Sequence, residues 1–346
     1  MFCYRLPNTT NSYTINYINE RVRDYESNAL WQEYIEKCFN NNVPVILNLD
    51  HLAYLLNIEK EIIWSIVRFT ERYYREFSIP KWDGTTRNIV APYPALYYVQ
   101  KWILENILNN VSIHESAFGF VKKRSIIGNA KAHLGKKCLL KMDIKDFFPS
   151  INLKRVIAIF LIFGYPHKIS YFLAKMCCKD GCLPQGSPTS PCISNITAKR
   201  LDARLSSMAR KYQLTYTRYA DDLVFSGNYI PHRFINFIEE ILLDEGFLTN
   251  QKKTKLIIGK GKKIITGISI SNDKLTIPRK TKRYLRKEAY FILRNGLQFH
   301  SEKIDCRDPI YIERLIGKYS FWNYVEPGNN YVSETINKLK DYSNRI

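Results

Sequence analysis

No apolar stretch in this 346-residue chain approaches the length of a membrane span: the longest, Val156 to Phe163, is far short of the roughly 20 residues required. The segment Met1 to Tyr13 is polar and lacks the apolar centre of a secretory leader, so a soluble protein of the cell interior is expected, with no membrane partner. Internal repeats, low-complexity tracts and Gly/Ser linkers are missing, which excludes a solenoid and favours lobes of one body over tethered modules. The eight Cys residues make no paired CxxC elements, and Cys177, Cys178 and Cys182 have no His nearby at zinc-ligand spacing. Reduced, mostly buried thiols are expected. Acidic residues are scarce too: 32 Asp and Glu face 52 Lys and Arg, leaving a net charge of +20.

That surplus points to a polyanionic partner. It is concentrated late in the chain, where Lys252 to Lys287 carry thirteen Lys or Arg and a single acid, Asp273. Nucleic acid and anionic membrane both suit such a patch. Tyr and Phe, at 24 and 18, tilt the choice, since those not needed in a core can stack on bases.

Periodicity divides the chain coarsely. Leu52, Leu55, Leu56, Ile62, Ile63, Ile66 and Val67 recur at helical steps. Pro80, Asp83 and Gly84 mark a turn-rich stretch with Lys81 and Arg87, and a helix is predicted from about Pro94 to Leu108. A strand at Cys138 to Ile144, a helix from about Leu153 to Phe163 ended by Gly164, a helix after Pro191 and a hairpin around Ala220-Asp221 follow. A strand from Lys263 to Ile270 and a helix from about Thr281 to Leu293 close the chain, with Leu285, Ala289 and Ile292 as its apolar stripe. This order gives an α+β fold with helices packed on an antiparallel sheet.

Three carboxylates carry the chemistry. Asp143 ends an apolar run, and Asp221 and Asp222 occupy the tip of the hairpin Tyr216 to Phe225. If the two strands are neighbours, like charges meet, and such a meeting is costly unless cations neutralise it. Two divalent ions held on carboxylate oxygens are what nucleotidyl transfer needs, because they clamp the attacking and leaving oxygens. The tetrad aromatic-x-Asp-Asp alone is weak: a shuffled chain gives about 0.07 matches, and paired Asp also favour ordinary turns.

The combination is stronger. Asp143-Ile-Lys-Asp-Phe-Phe148, Leu183-Pro-Gln-Gly-Ser-Pro188 and Tyr219-Ala-Asp-Asp222, in that order, resemble the palm of reverse transcriptases. Arg87-Asn-Ile-Val-Ala-Pro92 resembles the fingers strand, Asn250-Gln-Lys-Lys-Thr254 the next palm motif, and Gly317-Lys-Tyr-Ser-Phe321 a thumb element. Within that family, Asn129-Ala-Lys-Ala-His133 is similar to a signature of bacterial retron enzymes. Ile265-Thr-Gly267 is similar to a second signature, with Ile where the family has Val.

The resemblance implies a right-hand polymerase. Residues 1–60 would be a helical extension, 61–137 fingers, 138–275 a palm with a fingers insertion near 150–190, and 276–346 a mainly helical thumb. Asp143, Asp221 and Asp222, with the Ile144 carbonyl, would hold two Mg²⁺. Phe148 would exclude the ribose 2′-hydroxyl, Gln185 and Gly186 would meet the incoming nucleotide, and Arg87 and Lys81 would clamp its triphosphate. Lys253 could protonate pyrophosphate, with Lys252 and Lys255 as competitors. Lys282, Arg283, Arg286 and Lys287 would face the product duplex. Asn129 and His133 would contact structured RNA from one helix face, unless His133 is a satisfied core residue. The implied partners are a cognate noncoding RNA acting as template and primer, the RNA–DNA duplex, deoxynucleoside triphosphates and an accessory effector protein, in the cytoplasm of a bacterium. The nearest alternative is another bacterial reverse transcriptase, of the group II intron-like, diversity-generating or abortive-infection kind, and a non-catalytic RNA-binding scaffold is the alternative of a different class.

Overall fold

The computed structural model describes residues 29–80, 86–259, 261–306 and 308–344. The chain folds as two interleaved units. The first collects the residues up to Val121, Ile144–Leu205 and Phe237–Asn250; the second collects Lys122–Asp143, Ser206–Asn236 and Gln251–Ile346. Neither coincides with a contiguous quarter of the chain.

In the first unit the helices Leu49–Leu56 and Lys60–Arg68 bury Leu52, Leu56, Ile63 and Ile66, the stripe expected from their spacing. Asn48 starts the former by accepting from the His51 amide, and Asn57 ends it in the left-handed region at φ 53°. Strands β1 (Tyr74–Pro80) and β2 (Thr86–Pro92) then pair antiparallel, Tyr74 opposite Pro92. The sequence indicated only β2, because β1 reads as exposed at six of its seven positions. Helix Pro94–Asn106 buries Leu96, Val99 and Ile103 completely. Helix Leu153–Ile162 is capped by Asn152, and its end is set by Gly164 at φ 100°. A side chain at Gly164 would lie 2.7 Å from Lys37 Cβ.

The second unit is built on β3 (Cys138–Lys145), β4 (Thr215–Tyr219) and β5 (Asp222–Gly227), in the order β4-β5-β3. The last two residues of β3, Ile144 and Lys145, belong to the first unit and pair there with β6 (Leu248–Thr249). Along that same edge, the one away from β5, β3 also pairs with β7 (Lys255–Ile258). One face of this sheet is sealed by aromatic packing: Tyr216 stacks on Phe225 at 4.8 Å, and Phe234 meets Phe225 edge-on at 5.2 Å.

On the other face, Leu139 and Val224 join a core shared with Ala130, Leu285, Ala289, Ile292, Tyr319 and Trp322. The stretch Lys263–Ile270 enters this core, but not as the single strand expected. Thr266 and Gly267 take φ 44° and 84°, folding it into the two-residue strands β8 (Ile264–Ile265) and β9 (Ile268–Ser269). Helix Arg279–Asn295 extends beyond both predicted ends and stops at Gly296, φ 86°. Among the described residues no helix is long and apolar enough to cross a membrane.

Candidate active site

The register of β3 against β5 sets Asp143 directly opposite Asp222. Because side chains alternate along a strand, Asp143 and Asp222 share one sheet face with Lys141, Val224, Thr217, Leu139 and Ser226. Asp221 follows Ala220, whose φ of 55° turns the chain between β4 and β5. The three expected carboxylates are therefore brought together at one end of the sheet.

Their electrostatics reflect that crowding. Burial first, then the charges of Asp222 and Asp143, raise the Asp221 carboxyl above its ordinary range. Asp222 is raised as well, again mainly by burial, with Lys141 and Lys253 opposing and Asp143 adding to the rise. Lys253 Nζ donates to Asp143 Oδ2 at 2.7 Å. Burial alone would depress this ammonium, but the Asp143 hydrogen bond and the three carboxylates outweigh it and raise its pKa. A lysine held this way stays protonated as a counter-cation beside the carboxylates.

Among the described residues no three Asp, Glu, His or Cys side chains stand close enough to form a cage for an ion. The donor set nevertheless fits hard divalent cations. It offers carboxylate oxygens alone, and two of the carboxyls, those of Asp221 and Asp222, are destabilised as anions by burial and by neighbouring carboxylates. Lys141 was not foreseen, although a basic residue two positions before Asp143 in an otherwise apolar strand is a legible signal.

The first unit holds Ile144 and the residues foreseen to meet the incoming nucleotide. Gln185 and Gly186 pack on β2: the Val90 amide donates to the Gln185 carbonyl at 2.8 Å. Gly186 sits at φ 136°, and a Cβ there would lie 2.7 Å from the Val90 carbonyl oxygen and 2.9 Å from Ile89 Cγ2. The close approach that requires glycine is thus to the strand carrying Arg87. Arg87 itself is exposed, opposite Ile79, while Lys81 lies outside the described residues. Phe148 is half-buried between Phe147 and Phe120, at 5.7 and 6.2 Å. Ile144 is buried and paired with Thr249.

A profile of the family described as "Reverse transcriptase (RNA-dependent DNA polymerase)" matches residues 79–304. The chain is 34% identical over 257 residues to the retron Ec86 reverse transcriptase of Escherichia coli, an alignment covering 73% of this chain and 80% of that protein. The chain belongs to the retron-type reverse transcriptases. It is therefore an RNA-directed DNA polymerase, and family membership brings divalent-metal-dependent transfer of deoxynucleotides on a nucleic-acid template.

The enzyme is also 33% identical over 268 residues to the retron Mx65 reverse transcriptase of Myxococcus xanthus, covering 70% of this chain and 62% of that protein. It spans about half, 48%, of the retron Mx162 reverse transcriptase of the same organism, at 34% identity. Likeness to solved structures is looser. A foamy viral protease-reverse transcriptase with double-stranded DNA aligns with TM-score 0.43 at 16% identity, over 79% of this chain and 39% of that one. A Candida albicans telomerase gives 0.42 at 10%, over 78% and 63%.

One expectation for nucleic-acid contact needs correction. Asn129 and His133 are both fully buried, so neither can touch RNA. The helix ends at Lys131, and His133 lies in the turn beyond it, with ring nitrogens 2.7 Å from Ser226 Oγ and 2.8 Å from Thr217 Oγ1. The satisfied core histidine is the reading that holds. Of the basic set on Arg279–Asn295, Lys282 is bound to Glu326 at 2.7 Å. Arg286 lies over the Tyr331 and Trp322 rings at 5.0 and 5.6 Å and, like Arg283 and Lys287, is exposed.

Proposed function

We propose that this reverse transcriptase copies a cognate structured noncoding RNA, which serves as both template and primer, into branched multicopy single-stranded DNA. Synthesis would start from a guanosine 2′-hydroxyl of that RNA, in the bacterial cytoplasm. With an accessory effector protein, the product would serve anti-phage defence. The observation that carries the catalytic reading is the pairing of Asp143 with Asp222 beside the Asp221 turn.

Asp143, Asp221 and Asp222, with the Ile144 carbonyl, would hold two Mg²⁺, which when bound stabilise the charge developing on the attacking and leaving oxygens. The protein's own part is positioning. Gln185 would direct its amide at the incoming sugar and phosphates. Arg87 and Lys81 would hold the triphosphate, a task a guanidinium does two oxygens at a time. Phe148, braced by Phe147 and Phe120, would exclude a ribose 2′-hydroxyl. Lys253 would keep the carboxylates partly neutralised before the metals arrive. Arg283, Arg286 and Lys287 would lie on the duplex. The four-part division into extension, fingers, palm and thumb remains the functional map.

The test is purification with bound nucleic acid, then addition of Mg²⁺ and labelled deoxynucleotides. One short branched DNA, abolished in Asp222→Asn, is expected. Normal synthesis by Asp221→Asn and Asp222→Asn would remove the carboxylates from catalysis.

A further inference from the structure

The catalytic hairpin is held from its flank by an uncommon polar chain. Thr217 Oγ1 donates to Asn129 Oδ1 at 2.5 Å, so its oxygen is left to accept from His133 Nε2–H. A neutral imidazole has one donor and one acceptor nitrogen, and Nδ1 must then accept from the Ser226 hydroxyl. Thr217 is on β4 and Ser226 on β5; in the register Thr217 faces Val224, so the two hydroxyls are diagonal neighbours across the strand pair.

Both lie on the face that carries Asp222 and Asp143, with Ser226 four residues and Thr217 one cross-strand pair from the carboxylates. All four members of the chain are buried. The ring is neutral at any assay pH, since burial, then the Lys136 charge, push its pKa down to about 3.

We propose that His133, supported by Asn129, is a positioning residue for DNA synthesis: by tying Thr217 to Ser226 it fixes the register and tilt of the two strands whose turn presents Asp221 and Asp222. The proposal rests on the catalytic assignment of those carboxylates. Register matters here because a one-residue slip carries a strand side chain to the opposite face. Smaller errors matter as well, since a misplacement of about 1 Å in a catalytic group costs about 100-fold in rate. The apolar core around Ala130 and Val224 would hold the same elements together without the polar chain, so positioning and folding are separable.

The experiment compares His133→Leu, His133→Gln, Thr217→Val and Ser226→Ala with the parent enzyme and with Asp222→Asn. It uses a plain primer–template, following single-turnover extension against Mg²⁺ and against deoxynucleotide concentration, with RNA affinity and melting temperature alongside. Thr217→Val and Ser226→Ala are expected to slow extension by about 10- to 100-fold and to raise the half-saturating Mg²⁺. KM for the deoxynucleotide and RNA affinity should stay unchanged, and His133→Gln should recover part of the rate lost in His133→Leu. Variants that melt earlier but extend at the parent rate with the parent Mg²⁺ dependence would overturn the proposal, because the chain would then serve folding alone. Loss of RNA affinity with normal extension would overturn it too. Asp222→Asn separates the two levels: if it extends normally, the carboxylate assignment itself fails, whatever the other variants do.

Discussion

Asp221 and Asp222 are placed where carboxylates are unwelcome. Burial first, and the Asp143 charge beside both, raise both carboxyls, so each anion disfavours the folded state at neutral pH. Removing one charge should therefore stabilise the protein while ending synthesis. Asp222→Asn is expected to raise the melting temperature by about 2–4 °C and to abolish extension. Adding Mg²⁺ should raise the melting temperature of the parent but not of the double Asn variant; calorimetry with and without the ion checks both. Gly186 gives a second case. Gly186→Ala forces a Cβ onto the Val90 carbonyl at a φ of 136°, and should destabilise by about 1–3 kcal/mol in urea unfolding. The Leu183 to Pro188 motif shows as sequence; that its glycine is needed for contact with β2 does not.

Secondary-structure elements were legible in proportion to how strictly their burial follows a period. The Pro94–Asn106 helix and β3 were, because one side or both are fully buried. β1 was not, since six of its seven residues are exposed and carry no alternation. The Lys263–Ile270 strand was misread because a turn at Thr266-Gly267 leaves isoleucines on both sides. The turn that follows the short helix bearing Asn129 holds a titratable group, His133, whose effect can be measured. An unfolded histidine titrates near 6.5, whereas buried His133 titrates at about 3. Between these values the unfolded chain binds the extra proton, so the stability from a neutral His133, complete above about pH 6.5, is lost as pH falls toward 3. Relative to His133→Asn, the parent should lose up to about 1.4 kcal/mol per pH unit in that window. Equal slopes in urea unfolding from pH 7 to 5 would contradict the burial of this ring.

Over the full chain, the net charge of +20 makes nucleic-acid affinity strongly salt-dependent, but the basic residues are not equivalent. Lys282 is committed to Glu326, whereas Arg283, Arg286 and Lys287 are exposed. Arg283→Ala and Lys287→Ala should each lower the slope of log affinity against log salt by about 1. Lys282→Ala should leave the slope nearly unchanged and cost stability by stranding the Glu326 carboxylate. Filter binding to an RNA–DNA duplex across a salt series distinguishes them.

Residue order alone established the polymerase motifs, the surplus of positive charge and the strand that ends in Asp143, because each is a local pattern or a count. The long-range facts needed the folded chain. Asp143 meets Asp222 through a register between segments some eighty residues apart. The Asn129 to His133 signature looked like an RNA contact until its partners, Thr217 and Ser226, were seen on the catalytic hairpin. Periodicity reports which way a side chain faces, but the partner it meets there depends on how strands pair, and pairing is a property of the assembled sheet.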